Sequence, residues 1–299
     1  MMNPERTSVP ECIPTVLRSW DIVPDDISPI SANGNCHWRV RRGRDVFVLR
    51  MYRRGQSGSS IQYELDILKR IHSRGWPVAA AVGDMVLHSG FVFALFPCLP
   101  GCPREGETAE QGRCRGRILA DLHRDLNAIT NAGQRTGWQR ADEIVPGIAA
   151  WGMRRSAIDR TIAVHLERVS GALHTAGASS FPVTVIHGDF ITRNLLFQAE
   201  ELSGVLDFDS VHLDLRATDV ACARRSRQDE VVRGYLEIAP LTDAELGCLD
   251  NLWRATVLRY ALQIISGNVA TETDESGLQW CVKQLEKTVP FRWSMKAGH

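Results

Sequence analysis

The sequence predicts an α+β fold with two lobes, a small β-rich lobe followed by a larger, mainly helical one. Two observations predict it. Apolar residues alternate along short runs in the first third of the chain and recur at helical spacing along most of the remainder. Between these parts, the segment Pro97-Cys98-Leu99-Pro100-Gly101 breaks both patterns, and we expect a hinge there. The first lobe is therefore placed at residues 1–97 and the second at 98–299.

Composition limits the classes of protein to which the chain can belong. With 299 residues, 44% hydrophobic and 23% charged, it is long enough and apolar enough to bury a sizeable core. Basic and acidic residues balance at 35 each, so no overall field favours nucleic acid or an anionic membrane. The first ten residues are polar and no long apolar run follows. We expect a cytoplasmic protein with neither a membrane nor a nucleic acid as its partner.

Short strands and one helix account for the first lobe. Asn33-Gly34-Asn35 is a turn signal between apolar runs. Apolar residues at 61, 65, 68 and 71 form a helical stripe, which predicts a helix over 59–73 that ends before Pro77. Strands are predicted over 36–40, 45–52, 82–87 and 91–96.

Helices predominate in the second lobe after a polar stretch at 103–111, which we expect to be a surface connection. Leu119, Leu122 and Leu126 belong to the apolar face of a first helix, and two longer helical patterns cover 154–174 and 242–266. Thr242-Asp243-Ala244-Glu245 is a capping-box signature for the last of these. Short strands are predicted over 183–186, 195–197 and 203–208.

The segment His187-Gly188-Asp189, with Asn194 five residues after the aspartate and Asp207-Phe208-Asp209 further on, carries the clearest chemical signal. It sets a carboxylate, a carboxamide and a second carboxylate in order, each beside an apolar run. A phosphoryl-transfer site needs this set, because one Asp faces the acceptor hydroxyl while an Asn and another Asp hold magnesium on the nucleotide phosphates. The protein-kinase catalytic loop has the same Asp-to-Asn spacing.

These spacings assign roles to individual side chains. Asp189 is the candidate catalytic base, although an isolated Asp after a strand would more often stabilise a turn. Asn194 and Asp207 offer the hard oxygen ligands that Mg²⁺ prefers. Asp209, placed on the same side of the predicted strand as Asp207, either holds a water or metal or caps the next turn. We interpret His187 as a structural hydrogen-bonding residue of the loop.

The His-Gly-Asp-x-x-x-x-Asn motif followed by Leu206-Asp207-Phe208-Asp209 closely resembles the aminoglycoside phosphotransferase family, whose kinase-like fold is shared by choline and homoserine-type kinases. Two flanking segments extend the resemblance. Leu119-Ala120-Asp121-Leu122-His123 is similar to the family's Leu-Ala-x-Leu-His helix, and Arg216-Ala217-Thr218-Asp219-Val220-Ala221 is similar to its Asp-Leu-Ala element. The resemblance implies a bilobal, protein-kinase-like fold in which the first lobe binds the nucleotide and the second the acceptor.

Further site residues follow from the resemblance. Arg50 occupies the strand position at which kinase-like folds place a lysine against the α- and β-phosphates, and Glu64 on the next helix would be its ion-pair partner. Arg can fulfil this role because it is always charged and binds phosphate bidentately. Gly34 would lie in the turn over the phosphates. An adenine in the hinge would need a backbone amide, and because proline has none, Cys98 or Leu99 would donate it.

Three hypotheses about function remain open. The first is a magnesium-dependent kinase that uses ATP or GTP to phosphorylate a hydroxyl of an antibiotic such as an aminoglycoside. The second is the same reaction on a metabolite, such as an amino alcohol, a sugar or a hydroxy amino acid. The third is a catalytically silent nucleotide-binding protein. It is favoured by Arg50 in place of lysine and by a phosphate loop whose only glycine is Gly34. A protein kinase is disfavoured because neither Asp-Phe-Gly nor Ala-Pro-Glu is present.

Overall fold

The computed structural model describes residues 10–31, 34–129, 131–144, 157–225, 229–265 and 274–287. The chain divides into two compact units. The first contains the chain up to Arg104 together with Arg193–Leu206, and the second contains Glu105–Thr192 and the chain from Asp207 onwards. The first unit thus extends beyond the predicted hinge and includes a later hairpin. The functions assigned to residues 1–97 and 98–299 stay predictions.

An antiparallel sheet forms the first unit, with its five strands in the order β1-β2-β3-β5-β4. Its helices and strands are α1 (Ile13–Leu17), β1 (Asp26–Ser31), β2 (Cys36–Arg42), β3 (Asp45–Met51), α2 (Gly58–His72), β4 (Val86–His88) and β5 (Phe91–Pro97), and the later hairpin consists of β7 (Leu195–Gln198) and β8 (Glu201–Val205). Trp38, Leu49 and Phe93 of the sheet pack with Ile13 and Leu17 of α1 in one core cluster.

The predicted strands and helix of this unit are confirmed, with three corrections. The strand predicted over 82–87 is only Val86–His88, although the Val82 amide donates to the Leu95 carbonyl at 2.8 Å. The strand predicted over 203–208 ends at Val205. Strand β1 was not predicted, because this edge strand contains Pro29 and lacks an alternating apolar pattern.

Helices form most of the second unit. Its helices and strands are α3 (Ala109–Asn127), α4 (Ala157–Thr175), β6 (Val183–Ile186), β9 (His212–Leu215), α5 (Arg216–Arg224), α6 (Asp229–Ile238), α7 (Asp243–Ile265) and α8 (Asp274–Glu286). Strands β6 and β9 pair antiparallel. Helices α3 and α6 cross closely, since a methyl group on Gly116 would overlap the Val231 carbonyl and one on Gly234 would overlap that of Arg113. No described helix is both long and apolar enough to cross a bilayer.

The ends of these helices agree only in part with the sequence predictions. The capping box of α7 is confirmed: the Glu245 amide donates to the Thr242 hydroxyl at 3.2 Å, and the Thr242 amide donates to the Glu245 carboxylate at 2.8 Å. The polar stretch at 103–111 is not only a surface connection. Its last three residues form the first turn of α3, and the Glu107 side chain, which is only 6% exposed, forms an ion pair with Arg115.

A buried polar cluster lies where β9 meets α7. The Nδ1 atom of His212 is 2.7 Å from the Ser210 carbonyl, which can only accept, so Nδ1 carries the proton. The Nε2 atom lies 2.6 Å from the Arg259 NH1 group and 3.0 Å from a carboxylate oxygen of Asp214, and Arg259 pairs with that same oxygen at 3.0 Å. Burial and the charge of Arg259 outweigh the opposite effect of Asp214 and lower the pKa of His212 below its ordinary value. The neutral imidazole is therefore part of the folded state.

We predict from this cluster that the protein is destabilised by mild acid. Folded His212 binds a proton less readily than the unfolded side chain, so its contribution is complete above the ordinary pKa of 6.5 and falls as the pH drops below it. Denaturant unfolding should give a lower unfolding free energy at pH 5.5 than at pH 7.5, and this residue accounts for at most about 1.4 kcal/mol of the difference. His212→Gln should flatten the slope, and His174→Gln, at an exposed position, should not. Equal slopes in all three proteins would contradict the assignment.

Candidate active site

The His-Gly-Asp segment follows β6 and is held in place by Asp219 of α5. One carboxylate oxygen of Asp219 accepts from the His187 amide at 2.7 Å, and the other accepts from the Gly188 amide at 2.9 Å. His123 of α3 is 3.0 Å from the same carboxylate through Nε2, and its Nδ1 is 3.0 Å from the Tyr235 hydroxyl. Asp219, fully buried, thus joins three elements of the second unit.

These contacts stabilise the ionised form of the Asp219 carboxylate. Burial alone would raise the pKa of Asp219, but the hydrogen bond from His123 and those from the backbone amides lower it below its ordinary value. A buried carboxylate is tolerated only when its oxygens are well provided with donors. Asp219 is therefore a charged residue that positions the loop.

Glycine is required at position 188 of this loop. Its φ is +82°, and a Cβ there would lie 2.7 Å from the Ser210 carbonyl oxygen and 2.8 Å from the Ser210 Cβ. On either side of it, His187 is fully buried and its ring packs against Phe190 and Phe208, with centroid distances of 5.5 and 4.5 Å. The interpretation of His187 as a structural residue agrees with these contacts.

The carboxylate of Asp189, the candidate base, forms an ion pair with Arg225, the first residue after α5. The Asp189 side chain is 18% exposed. Arg115 of α3 supports the loop from the interior, because its NH1 group donates to the Phe190 carbonyl at 3.1 Å. Glu107 neutralises Arg115 through two bonds of 2.8 Å. Asp189 thus lies at the partly exposed edge of a rigid buried scaffold.

Asp207 begins a tight turn and is not part of a strand. Its φ of 65° and ψ of 57° are left-handed, and a short 3₁₀ helix, Phe208–Ser210, follows. The prediction that Asp209 shares a strand face with Asp207 is therefore wrong, because β8 has already ended at Val205. Arg135 is buried below this turn and donates to the carbonyls of Asp209 and Val211 at 2.8 and 2.9 Å.

Asn194, the other predicted metal ligand, lies in the first unit at the start of β7 and is buried. Its carbonyl accepts from the Leu206 amide at 2.8 Å, so the main chain is tied at the residue that directly precedes Asp207. Among the described residues, no cluster of three or more His, Cys, Asp or Glu side chains could hold a metal ion. The donor set of one carboxamide and one carboxylate suits a hard cation that takes its other ligands from phosphate and water.

Arg50 and Glu64 are brought together in the first unit. The Arg50 NH1 group donates to Glu64 Oε1 at 2.6 Å, and its Nε donates to His37 Nε2 at 2.9 Å. Glu64 is fully buried, whereas the Arg50 side chain remains 13% exposed. The guanidinium also lies 5.1 Å from the centre of the Phe96 ring. Contacts on several sides fix the orientation of this cation, which does not extend into solvent.

The two candidate amide donors of the hinge, Cys98 and Leu99, differ in their hydrogen bonds. The Cys98 amide donates to the Val46 carbonyl at 3.0 Å, so it continues the pairing of the sheet and cannot serve a base at the same time. The prediction of Cys98 as a nucleobase donor is therefore corrected. The Leu99 amide donates to no acceptor among the described residues, and its role stays a prediction. Gly101 packs so closely on Phe197 and Ser203 that a Cβ would clash with both.

Gly34, predicted to lie over the phosphates, precedes β2 with a φ of +85° and has open space where a Cβ would stand. Asn33 lies outside the described residues. The adjacent Asn35 is buried, and its side-chain oxygen accepts from the Arg53 amide at 3.1 Å. The conformation suits glycine, and the contact with phosphate stays a prediction.

Three arginines at the site were not identified from the sequence, namely Arg115, Arg135 and Arg225. Each acts on a main-chain carbonyl or on a carboxylate far away in the chain, so no local spacing marks it. The structure shows that Arg115 and Arg135 are fully buried, and this burial identifies them as structural residues.

We predict that Asp219→Asn loosens the catalytic loop. A carboxamide has one acceptor oxygen, so its NH₂ group would face one of the donors that Asp219 now accepts from. Hydrogen exchange at the His187 and Gly188 amides should become about 10- to 100-fold faster, with a loss of about 2–4 kcal/mol in unfolding free energy. Asp121→Asn on the surface of α3 is the control. Unchanged protection of both amides would show that Asp219 does not hold the loop.

The chain is similar in sequence to homoserine kinases and in structure to kinases of small molecules. Homoserine kinases of Rhizobium rhizogenes and Granulibacter bethesdensis are 26% and 28% identical over alignments of 260 residues, and each alignment covers 76% of this chain and 76% of the relative. An amicoumacin kinase structure with AMP-PNP superposes with a TM-score of 0.71 and 13% identity, covering 93% of this chain and 94% of that one. A microcompartment-associated aminopropanol kinase superposes with a TM-score of 0.68 and 19% identity, covering 91% of this chain and 94% of that one.

These structural similarities confirm the predicted α+β, protein-kinase-like fold. The profile of the phosphotransferase enzyme family, APH, matches residues 26–249, a range that includes Arg50, the Asp189 loop and Asp219. The resemblance inferred from the motifs is therefore confirmed, as is the predicted class of enzyme, a phosphotransferase. The chain belongs to the phosphotransferase enzyme family.

Proposed function

We propose that this phosphotransferase moves the γ-phosphate of ATP or GTP, with magnesium, to a hydroxyl of a small molecule. The observation that carries the proposal is the ion pair between Arg50 and the fully buried Glu64. The replacement of lysine by Arg50 was one of two arguments for a silent protein, beside the glycine-poor loop. A guanidinium fixed by Glu64 and His37 keeps a permanent cation on β3, which supports phosphate binding.

The nucleotide would be bound mainly by the first unit. Arg50 would contact the α- and β-phosphates, the turn at Gly34 would cover them, and the Leu99 amide would donate to the base. Asn194 and Asp207 would hold magnesium, which supplies charge neutralisation on the phosphates when bound. The oxygen donors of these two residues fit a hard cation, and the hydrogen bond from the Leu206 amide to the Asn194 carbonyl limits the freedom of the chain before Asp207.

Asp189 would orient the acceptor. Its carboxylate accepts a hydrogen bond from the hydroxyl, whose oxygen attacks the γ-phosphorus while the bond to the bridging oxygen of the nucleoside diphosphate breaks. The hydroxyl proton passes to Asp189 late in the transfer. The bonds from the His187 and Gly188 amides to Asp219 support this role, because they fix the backbone that carries Asp189.

For the acceptor, we favour a hydroxy metabolite, such as a hydroxy amino acid or an amino alcohol, over an antibiotic. The relatives that align with 76% of the chain are named homoserine kinases. Neighbours that act on antibiotics, such as the amicoumacin kinase, share only 13% identity and indicate the fold alone. An aminoglycoside-type acceptor therefore remains the second candidate. A cytoplasmic location and the absence of membrane and nucleic-acid partners remain predictions.

Release of ADP or GDP by the purified chain tests the proposal. The acceptor panel should contain homoserine, serine, amino alcohols, sugars and aminoglycosides, with and without Mg²⁺. We expect magnesium-dependent release with at least one acceptor and a loss of about 100- to 10,000-fold in kcat for Asp189→Asn, because the acceptor hydroxyl loses its base. Nucleotide affinity should stay within a few-fold. Asn194→Ala and Asp207→Ala should weaken magnesium-nucleotide binding and turnover together.

The control for these variants is Asp121→Asn, on the exposed face of α3, which should turn over like the wild type. Near wild-type turnover by the Asp189 variant would remove the base assignment. Metal-independent transfer would remove the magnesium site. Bound nucleotide without release of diphosphate from any acceptor would favour the silent protein.

The role of Arg50 has a test of its own. Arg50→Met should lower kcat/KM for the nucleotide by about 100-fold or more, since it removes a cation from the phosphates and leaves the buried Glu64 carboxylate without the charge of Arg50. Arg50→Lys should keep part of the activity, within about 10-fold. Arg39→Met, at an exposed position on the neighbouring strand, is the matched control. An unchanged KM in the Arg50→Met variant would show that this arginine does not bind the nucleotide.

A further inference from the structure

An arginine stands against the candidate base in the second unit. Arg225 pairs with Asp189 through its NH2 group, and its side chain is 24% exposed, so part of the side chain reaches solvent. The guanidinium also lies 5.6 Å from the centre of the Trp253 ring on α7. Within the described part of the chain, Asp189 is the only carboxylate that pairs with it. A cation is thus fixed at the point where the acceptor hydroxyl has to bind.

Arg224, the residue before Arg225, is an arginine with a purely structural role. Arg224 donates from Nε to Asp229 at 2.8 Å and from NH1 to Asp250 at 2.9 Å, and so connects α5 to α6 and α7. Two carboxylates that belong to the scaffold neutralise Arg224. The carboxylate beside Arg225 belongs to the catalytic loop. The two neighbouring arginines therefore have different surroundings, and the second of them faces the site.

The position of the pair is determined by buried structure. Arg115, which is 1% exposed, donates from a single nitrogen to the Phe190 carbonyl at 3.1 Å and to the Ala223 carbonyl at 2.8 Å. Phe190 follows Asp189, and Ala223 lies two residues before Arg225. One buried guanidinium thus fixes the main chain on both sides of the pair. The contact between Asp189 and Arg225 follows from this scaffold, unlike a chance pairing of two surface side chains.

The charges at this point constrain the acceptor. Burial and the charge of Arg115 lower the pKa of Arg225 to about 10, which leaves it cationic at neutral pH. A guanidinium has five N–H donors in a rigid fork that matches a carboxylate. The charge of Asp189 is offset by Arg225. A compact acceptor with an anionic group complements this arrangement, whereas a polycation would be repelled.

We propose that Arg225 determines acceptor specificity by binding a carboxylate of the acceptor, with the neighbouring Asp189 oriented towards the acceptor's hydroxyl. The inference rests on the proposed function and narrows its acceptor to a small hydroxy acid. The acceptor carboxylate would bind the guanidinium beside Asp189, and Trp253 packs against the face of the guanidinium. Asp189 then accepts from the hydroxyl.

Two pairs of acceptors that differ only by a carboxylate test this directly: L-homoserine with 3-amino-1-propanol, and L-serine with ethanolamine. One of the two pairs will be phosphorylated faster than the other. Within that pair, steady-state kinetics at saturating Mg²⁺ and nucleotide should show a higher kcat/KM of the wild type for the member that carries the carboxylate. Arg225→Gln should lose about 100-fold in kcat/KM for that member, chiefly through KM, and change the other by less than about 3-fold. Arg225→Lys should fall between, since it keeps the charge and loses the fork.

Arg224→Gln is the matched control. It breaks two ion pairs of the scaffold, so it should lower the melting temperature and affect both members of a pair equally. An equal loss on both members in Arg225→Gln would overturn the proposal and leave Arg225 as a residue that only positions Asp189. Wild-type preference for the amino alcohols or for an aminoglycoside would also overturn it, while the proposed function stood. Absence of diphosphate release with every acceptor would instead count against the proposed function itself.

Discussion

The Asp219 carboxylate accepts hydrogen bonds from two consecutive backbone amides, those of His187 and Gly188, and from the imidazole of His123. Its ionised form is the one that these donors require. Because the amides belong to the loop and the carboxylate belongs to α5, the loop backbone cannot move without leaving a buried charge short of donors. The orientation of the Asp189 side chain therefore depends on this interaction.

The rest of the second unit reinforces the same loop from other sides. Gly188 allows the backbone to approach Ser210, and the His187 ring packs on Phe208 directly after Asp207. Arg115 and Arg135, both fully buried, donate to main-chain carbonyls of this region. The site is therefore held by charges and hydrogen bonds that are almost entirely buried, while the groups proposed to act on substrate are partly exposed.

How far the sequence predicts such a site depends on the kind of contact. The order Asp189, Asn194 and Asp207 could be read directly, because local spacing around short strands encodes it. The Arg50–Glu64 pair could be predicted from the resemblance, since the strand and the helix that carry it follow each other in the chain. The left-handed conformation of Asp207 could not be predicted, because the sequence pattern indicated a strand that continued through Phe208.

Contacts between residues far apart in the chain account for the remaining differences. The pairing of Arg225 with Asp189 spans 36 residues, and the bond from Arg115 to the Phe190 carbonyl spans 75. Neither has a periodicity or a motif that a sequence pattern could reveal. The hinge was similar: proline positions narrowed the amide donors to Cys98 and Leu99, but only the sheet register, in which the Cys98 amide meets the Val46 carbonyl, distinguishes them.

The arginine on β3 has a practical consequence for the chemical detection of this enzyme. Nucleotide analogues that acylate the phosphate-binding lysine of kinases need a neutral amine as nucleophile, and a guanidinium is protonated at any working pH. Before residue 283 the sequence contains a single lysine, Lys69, in the last turn of α2. Lysine-directed nucleotide probes should therefore pass over this protein in a cell extract, and profiling surveys that depend on them would underestimate enzymes of this kind.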